Sequence, residues 1–252
     1  MTSHKTNLDP HAVSEFLASR RSTRDFIKDK PVPLEILDQI LTDALTTPSW
    51  SNTRPFKIAV ATGEVRDRIS AEFLNRWDAL AKGRSGGLLA KIKLLVTRYG
   101  LPTSNRKMNK PYVAELKPRA QRIGAELYKV LGVERGDRIA RDKEWAKNYE
   151  FFGAPTELFI FVHKSLDIWS ASDAGFMMQN LMLSAHARGL GTCAQGAVGI
   201  WDDVVRKEFE VIEDYRLLCG LAIGYPTDAP VNSFGAHRLN PAEITVKQRQ
   251  LL

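Results

Sequence analysis

The chain has 252 residues, 44% of them hydrophobic and 26% charged, with a formal net charge of +7 and a pI near 9.4, which excludes disordered, collagen-like and coiled-coil proteins. Two cysteines, Cys193 and Cys219, are too few for a disulfide scaffold or a four-cysteine zinc site. The polar start lacks a signal-peptide core and no apolar run approaches the ~20 residues of a membrane span, so we expect a cytoplasmic protein with no metal site.

The first part of the chain predicts two helices, a loop and a strand. Asp9 and Pro10 are typical of a helix cap and first turn, and this helix is expected to end near Arg20. Apolar residues over 34–45 recur at a spacing of three and four, which predicts an amphipathic helix. Residues 48–55 begin and end with proline and predict a loop before a short strand over 57–61.

The second part predicts two further strands with helices around them. Residues 157–162 and 217–223 are continuous apolar runs, which suit a sheet covered on both faces. Between them, residues 173–188 predict a helix capped by Asp173 and ended by Gly189, and residues 201–209 predict another. Since no repeat or linker is visible, we expect one α+β domain over residues 1–252, with a central sheet wrapped by helices.

The positive charge is concentrated in the middle of the chain. Residues 76–150 hold 18 basic and 8 acidic residues, whereas the segments before and after have net charges of 0 and −3. Three interpretations are open: a solvated helical insertion, a basic cover over a site for an anionic ligand, and a nucleic-acid surface. The nucleic-acid interpretation has no support from a motif, since the sequence shows no zinc finger and no RNA-binding pattern of interleaved aromatic residues.

Residues 20–24 combine three arginines with a serine and a threonine directly after the first helix. The guanidinium group is a planar fork of donors suited to phosphate, and hydroxyl groups add further donors. In an extended backbone, Arg20, Ser22 and Arg24 would lie on one side. The segment is therefore either a phosphate-binding strand or a solvated basic turn.

Residues 189–194 formally fit the G-x-G-x-x-G/A dinucleotide-binding pattern. That pattern needs a preceding strand and a helix that opens on the glycines. Because a predicted helix precedes these residues, we expect a glycine helix terminator followed by a tight entry into a strand.

Four motifs together resemble the FMN-dependent nitroreductase family. They are R-R-S-T-R-x-F at 20–26, P-S-W-S-N-x-x-P-F at 48–56, D-x-G-x-x-x-Q-N-x-x-L-x-A-x-x-x-G-L-G-T at 173–192, and I-G-Y-P at 223–226, followed by Arg238. Residues 189–196 are most similar to the nitrobenzoate-reductase-like branch. The resemblance covers most of the chain except residues 76–140, and the basic stretch at 76–150 is expected to be a variable helical insertion that rims the mouth of the site.

The resemblance implies a nitroreductase-like fold with a mainly antiparallel sheet, assembled as an intertwined homodimer with FMN at the interface. Carried over by motif, Arg20 and Arg238 would hold the phosphate, with Arg21 beside them. Ser22 would contact the phosphate or ribityl chain, and Arg24 the N1/O2 edge of the flavin.

Two further groups of residues complete the implied FMN site. Ser49 and Asn52 would come from the other protomer and touch the ring or ribityl chain. Ala194, Gln195 and Gly196 would lie along the N5/O4 edge, with backbone N–H groups as donors. No side chain is expected to be catalytic.

The implied activity is a ping-pong transfer of two electrons from NAD(P)H to nitroaromatic acceptors, including carboxylated ones, or to quinones. Two positions depart from the family pattern: Arg54 stands where glutamine is usual, and Ala236 stands where some branches have lysine. The alternatives are another flavin reaction (reductive dehalogenation, flavin fragmentation or heterocycle oxidation), a flavin-binding regulator, and a basic phosphate- or nucleic-acid-binding module.

Overall fold

The computed structural model describes residues 7–104, 111–246 and 248. Over these residues the chain forms eight α-helices and one four-stranded sheet, which confirms the predicted α+β class. The helices are α1 Pro10–Ser19, α2 Leu34–Ala44, α3 Gly63–Ser85, α4 Leu88–Thr97, α5 Leu116–Val130, α6 Arg138–Ala146, α7 Ile168–Ala187 and α8 Asp202–Arg206. The strands are β1 Phe56–Thr62, β2 Thr156–His163, β3 Gly191–Gln195 and β4 Tyr215–Gly224.

The sheet is antiparallel throughout, with the strand order β1-β2-β4-β3. Strands β2 and β4 are therefore central, which explains their continuous apolar sequences. In the register, Phe56 lies opposite Val162 at one end of the sheet, and Thr192 lies opposite Ile223 towards the other.

Each face of the sheet has its own buried cluster. One face of β2 carries Phe159 and Phe161, which pack with aromatic side chains of α3 and the segments around it: Phe73, Trp77, Tyr149, Phe151 and Trp201. The other face carries Leu158 and Ile160, which pack with residues of α2 and α7: Leu37, Ile40, Ala174, Met177 and Leu181. Helices α3 and α7 thus enclose the sheet between them.

Helix α7 begins five residues before the predicted start, so the expectation that Asp173 caps it is wrong. Asp173 is buried inside the helix, and its carboxylate accepts a hydrogen bond from the backbone N–H of Trp50 at 3.0 Å. This bond fastens the loop over residues 48–55 to α7. At the other end, Gly189 has φ +73° beyond the last turn, in the left-handed conformation expected of a helix terminator.

The basic stretch does not begin as a separate unit, because residue 76 lies in the middle of α3. Arg76 is almost completely buried and forms ion pairs with Glu72 at 2.8 Å and Asp203 at 2.7 Å. Helices α4, α5 and α6 make up most of the rest of the described stretch. None of the described helices is both long and apolar enough to span a membrane.

Candidate functional site

Residues 20–24 lie against the edge strand β3. Ser22 forms a parallel bridge with Thr192, and the backbone N–H of Thr23 donates to the carbonyl of Thr192 at 2.9 Å. A Cβ atom at Gly191 would stand 2.2 Å from Oγ1 of Thr23, so the absence of a side chain at 191 permits this approach. The segment is thus held beside β3 rather than left as a free basic turn.

Four arginines gather at this edge with no described acidic side chain within ion-pair distance: Arg20, Arg21, Arg24 and Arg238. Burial lowers the pKa of Arg20, and the neighbouring charges of Arg238 and Arg21 lower it further. Burial also lowers the pKa of the nearby His186, and the positive charges of Arg20 and Arg21 lower it further. Because Arg20 senses the charges of Arg21 and Arg238 and no described carboxylate neutralises them, this edge suits an anion.

A cleft of about 360 Å³ runs from Arg24 along Cys193 and Ala194 to residues of α5 and α6. Burial raises the pKa of the Cys193 thiol to about 11, against the smaller opposing influence of Arg24. The thiol is therefore neutral at neutral pH and is not an activated nucleophile.

The end of β3 presents its backbone to this surface. The side chain of Gln195 is 1% exposed and turned into the protein, where its Nε2 donates to the carbonyl of Asn148 at 2.6 Å. Ala194 and Gly196 on either side are exposed and carry little or no side chain. A ligand over residues 194–196 would therefore meet mainly main-chain groups.

Ser49 and Asn52 are not brought to this site within one chain. Their loop leads into Phe56, at the opposite edge and opposite end of the sheet from Thr192. Three strand spacings and seven residue steps along β4 separate these corners, which corresponds to roughly 25 Å. Within the loop, both side chains accept hydrogen bonds from Arg54. Its backbone N–H donates to Oγ of Ser49 at 3.0 Å, and its guanidinium donates to Oδ1 of Asn52.

A second cavity of about 630 Å³ lies beside residues 194–196, between α3 and α6. The sequence predicted that the stretch 76–150 rims the site and that residues 194–196 belong to it. It did not single out the other lining side chains, among them Trp77, Arg84, Tyr128, Arg138, Arg141 and Trp145. A signal was present, because residues 138, 141, 142 and 145 share the spacing of one helix face. What the sequence alone could not supply is the position of that face above β3.

The arrangement suits a ligand with a phosphate and a flat ring, such as the FMN expected from the motifs. The arginine cluster offers charge-assisted donors for the phosphate, and the exposed backbone of residues 194–196 offers an edge for the ring. The neighbouring cavity leaves room for a second reactant.

Comparison with known proteins gives consistent matches over nearly the full length. The model of the Nitroreductase family matches residues 17–225. The nitrobenzene nitroreductase of Ectopseudomonas oleovorans is 29% identical over 234 residues, covering 92% of this chain and 95% of that protein. The 4-nitrobenzoate reductase of Pseudomonas putida is 28% identical over 220 residues, covering 86% and 87%. The crystal structure of the FMN-dependent nitroreductase NfnB from Mycobacterium smegmatis, in complex with NADPH, matches with a TM-score of 0.78 at 28% identity, covering 95% of this chain and 99% of that one.

Proposed function

Because the chain belongs to the nitroreductase family, we propose that it is an FMN-dependent oxidoreductase that passes two electrons from NAD(P)H to small nitroaromatic acceptors. Membership confirms the resemblance predicted from the four motifs. The observation that carries the proposal is the arginine cluster beside β3, which lies next to an exposed backbone edge and a cavity of reactant size.

In this proposal the protein binds and orients FMN mainly through residues 20–24 and Arg238. Arg20 and Arg238 would hold the phosphate, with Arg21 alongside, and Ser22 would add a hydroxyl donor. The Arg24 guanidinium would face the N1/O2 edge, where a fixed positive charge would stabilise negative charge on the ring. When bound, FMN supplies the two-electron redox chemistry between NAD(P)H and the acceptor.

The end of β3 sets the other side of the ring. The backbone groups of Ala194, Gln195 and Gly196 would line the N5/O4 edge, and the buried hydrogen bond of Gln195 to the Asn148 carbonyl fixes this part of the chain. The neutral, buried thiol of Cys193 takes no covalent part. The protein thus contributes orientation and charge rather than a nucleophile.

The proposal includes a homodimer, in which Ser49 and Asn52 of one copy reach the FMN site of the other. Two features support it. Helix α1 has no buried residue in the single chain. The tilted rings of Trp50 and Trp169 pack with centroids 4.6 Å apart yet are 53% and 50% exposed, and Phe176 of α7 is 52% exposed. An exposed aromatic patch of this kind is typical of an interface.

The test begins with the purified protein. We expect yellow material whose flavin absorbance is bleached by NADH or NADPH and restored by nitrobenzene or a quinone, and a sedimentation coefficient of a dimer. Colourless protein that takes up no added FMN would contradict the cofactor assignment. Yellow protein that is reduced but passes no electrons to nitroaromatics would contradict the acceptor class alone.

A further inference from the structure

The cavity beside residues 194–196 has two helical walls of similar composition. Helix α6 presents one face to it, with Arg138, Arg141, Asp142 and Trp145 at helical spacing. Helix α3 faces it with Trp77, Leu80 and Arg84. The exposed main chain of residues 194–196 lies at one side of the cavity, so a molecule in the cavity would contact the proposed flavin edge.

Three arginines line this cavity without an acidic partner among the described residues: Arg84, Arg138 and Arg141. Elsewhere in the described chain, arginines that fasten elements together are ion-paired: Arg66, Arg68, Arg76, Arg188, Arg206 and Arg216. The cavity arginines are therefore distinguished from those that hold the fold together.

The lining combines this charge with aromatic surface. The Trp77 and Trp145 rings stack with centroids 6.3 Å apart, and the Arg84 guanidinium lies 4.9 Å from the Trp77 ring centroid. Asp142 is the one acidic residue of the described lining, and its backbone carbonyl accepts the indole N–H of Trp77 at 3.2 Å. Positive charge therefore predominates in a concave site, where a fixed charge attracts anions most strongly.

We propose that Arg84, Arg138 and Arg141 form an anion subsite for the reactant that occupies this cavity. The proposal rests on the proposed function and deepens it. The anionic group is a carboxylate or a phosphate, and two reactants can carry it: an aromatic acceptor with a ring carboxylate, or the phosphate groups of the nicotinamide donor. In either case the exposed Trp145 ring, packed against the buried Trp77, contacts the planar part of the molecule while the arginines hold its charged end.

The experiment replaces each arginine with glutamine, giving Arg84→Gln, Arg138→Gln and Arg141→Gln. Arg135→Gln is the matched control, because it removes the same charge from an exposed position of the same stretch that does not line this cavity. The first readout is quenching of tryptophan fluorescence by 4-nitrobenzoate and by its neutral isostere 4-nitrobenzamide, without any electron donor. The second is kcat/KM for both acceptors with NADH and with NADPH, at low and high NaCl.

A charge-assisted hydrogen bond lost from such a site corresponds to about a tenfold to hundredfold loss of affinity. We expect each cavity variant, and not Arg135→Gln, to lose 4-nitrobenzoate binding to this extent while 4-nitrobenzamide binding is unchanged. In the unmodified protein the preference for the benzoate should shrink as NaCl rises. Selective loss of NADPH use, with NADH unaffected, would instead assign the subsite to the 2′-phosphate of the donor.

Equal effects on the neutral and anionic ligands, or none beyond those of Arg135→Gln, would overturn the subsite. The two readouts separate this outcome from failure of the proposed function. If the protein shows no reductase activity but the cavity variants still lose 4-nitrobenzoate selectively in the fluorescence titration, the subsite stands and the proposed reaction does not. If the protein reduces nitroaromatics and all variants keep the same preference for 4-nitrobenzoate over 4-nitrobenzamide, the proposed reaction stands and the subsite does not.

Discussion

Glu157 is a carboxyl group in the middle of the protein, and its replacement by glutamine should change how stability depends on pH. Its side chain is fully buried on β2, and neither oxygen is in hydrogen-bond geometry with a described partner. A Cβ at Gly220 would stand 2.0 Å from Oε1, so the carboxyl group occupies space that this glycine leaves free. Burial raises the pKa of Glu157 well above its ordinary value, and the attraction of Arg66 and of the Leu221 backbone only partly offsets this.

The raised pKa of Glu157 determines whether stability rises or falls with pH. At a pH between the ordinary carboxyl pKa and the raised one, folded Glu157 holds a proton that the unfolded chain releases. Stability therefore falls as pH rises through this window, by at most about 1.4 kcal/mol per pH unit for one proton. The glutamine of Glu157→Gln cannot ionise. The free energy of unfolding of this variant, minus that of the original protein, should therefore increase as pH rises above about 5.

Urea denaturation at pH 5, 6 and 7 measures this difference directly. Glu210→Gln is the matched control, because Glu210 is exposed and forms no ion pair with a described residue. The two variants remove the same kind of group from opposite environments. If the Glu157→Gln difference changed with pH no more than the measured Glu210→Gln difference, the buried carboxyl group would not be the neutral species inferred here.

Three further outcomes are expected. Arg20→Ala and Arg238→Ala should each weaken FMN binding about tenfold to a hundredfold, as measured by flavin fluorescence titration, and unchanged affinity in both would refute the phosphate assignment. Gln195→Ala leaves the Asn148 carbonyl without its donor and should lower the free energy of unfolding by about 1–3 kcal/mol; a value near zero in chemical denaturation would mean that water replaces the bond. Arg76→Met removes the guanidinium between two carboxylates and should lower the free energy of unfolding by about 3 kcal/mol in the same assay. An unchanged free energy of unfolding would show that these ion pairs do not stabilise the fold.

The sequence predicted best those parts of the fold whose signal is local. The long apolar runs of β2 and β4 could be recognised because central strands are covered on both faces. Strand β3 is five residues long and follows a glycine-rich turn, so only its entry was expected. The start of α7 was misplaced at Asp173, because an acidic residue before an apolar run is typical of a cap, whereas its actual partner is 123 positions away at Trp50.

In the candidate site, too, the sequence predicted the residues that are adjacent in the chain and missed those that only the fold brings together. Residues 20–24 could be singled out from their composition, since three arginines and two hydroxyl residues are adjacent in the chain. The cavity between α3 and α6 could not, because it depends on how two helices more than fifty residues apart approach β3. Glu157 was also hidden, since its place inside an apolar run gives no sign that its charge is suppressed.

The close approach between Gly191 and Thr23 makes these two positions mutationally interdependent. A methyl group at 191 would collide with Oγ1 and Cβ of Thr23, at 2.2 and 2.7 Å, so Gly191→Ala must push the arginine segment away from β3. Thr23→Gly removes both atoms and should rescue Gly191→Ala, a case of epistasis between residues in contact. In a library of random variants, alanine at 191 should therefore survive selection for flavin binding chiefly in company with glycine at 23.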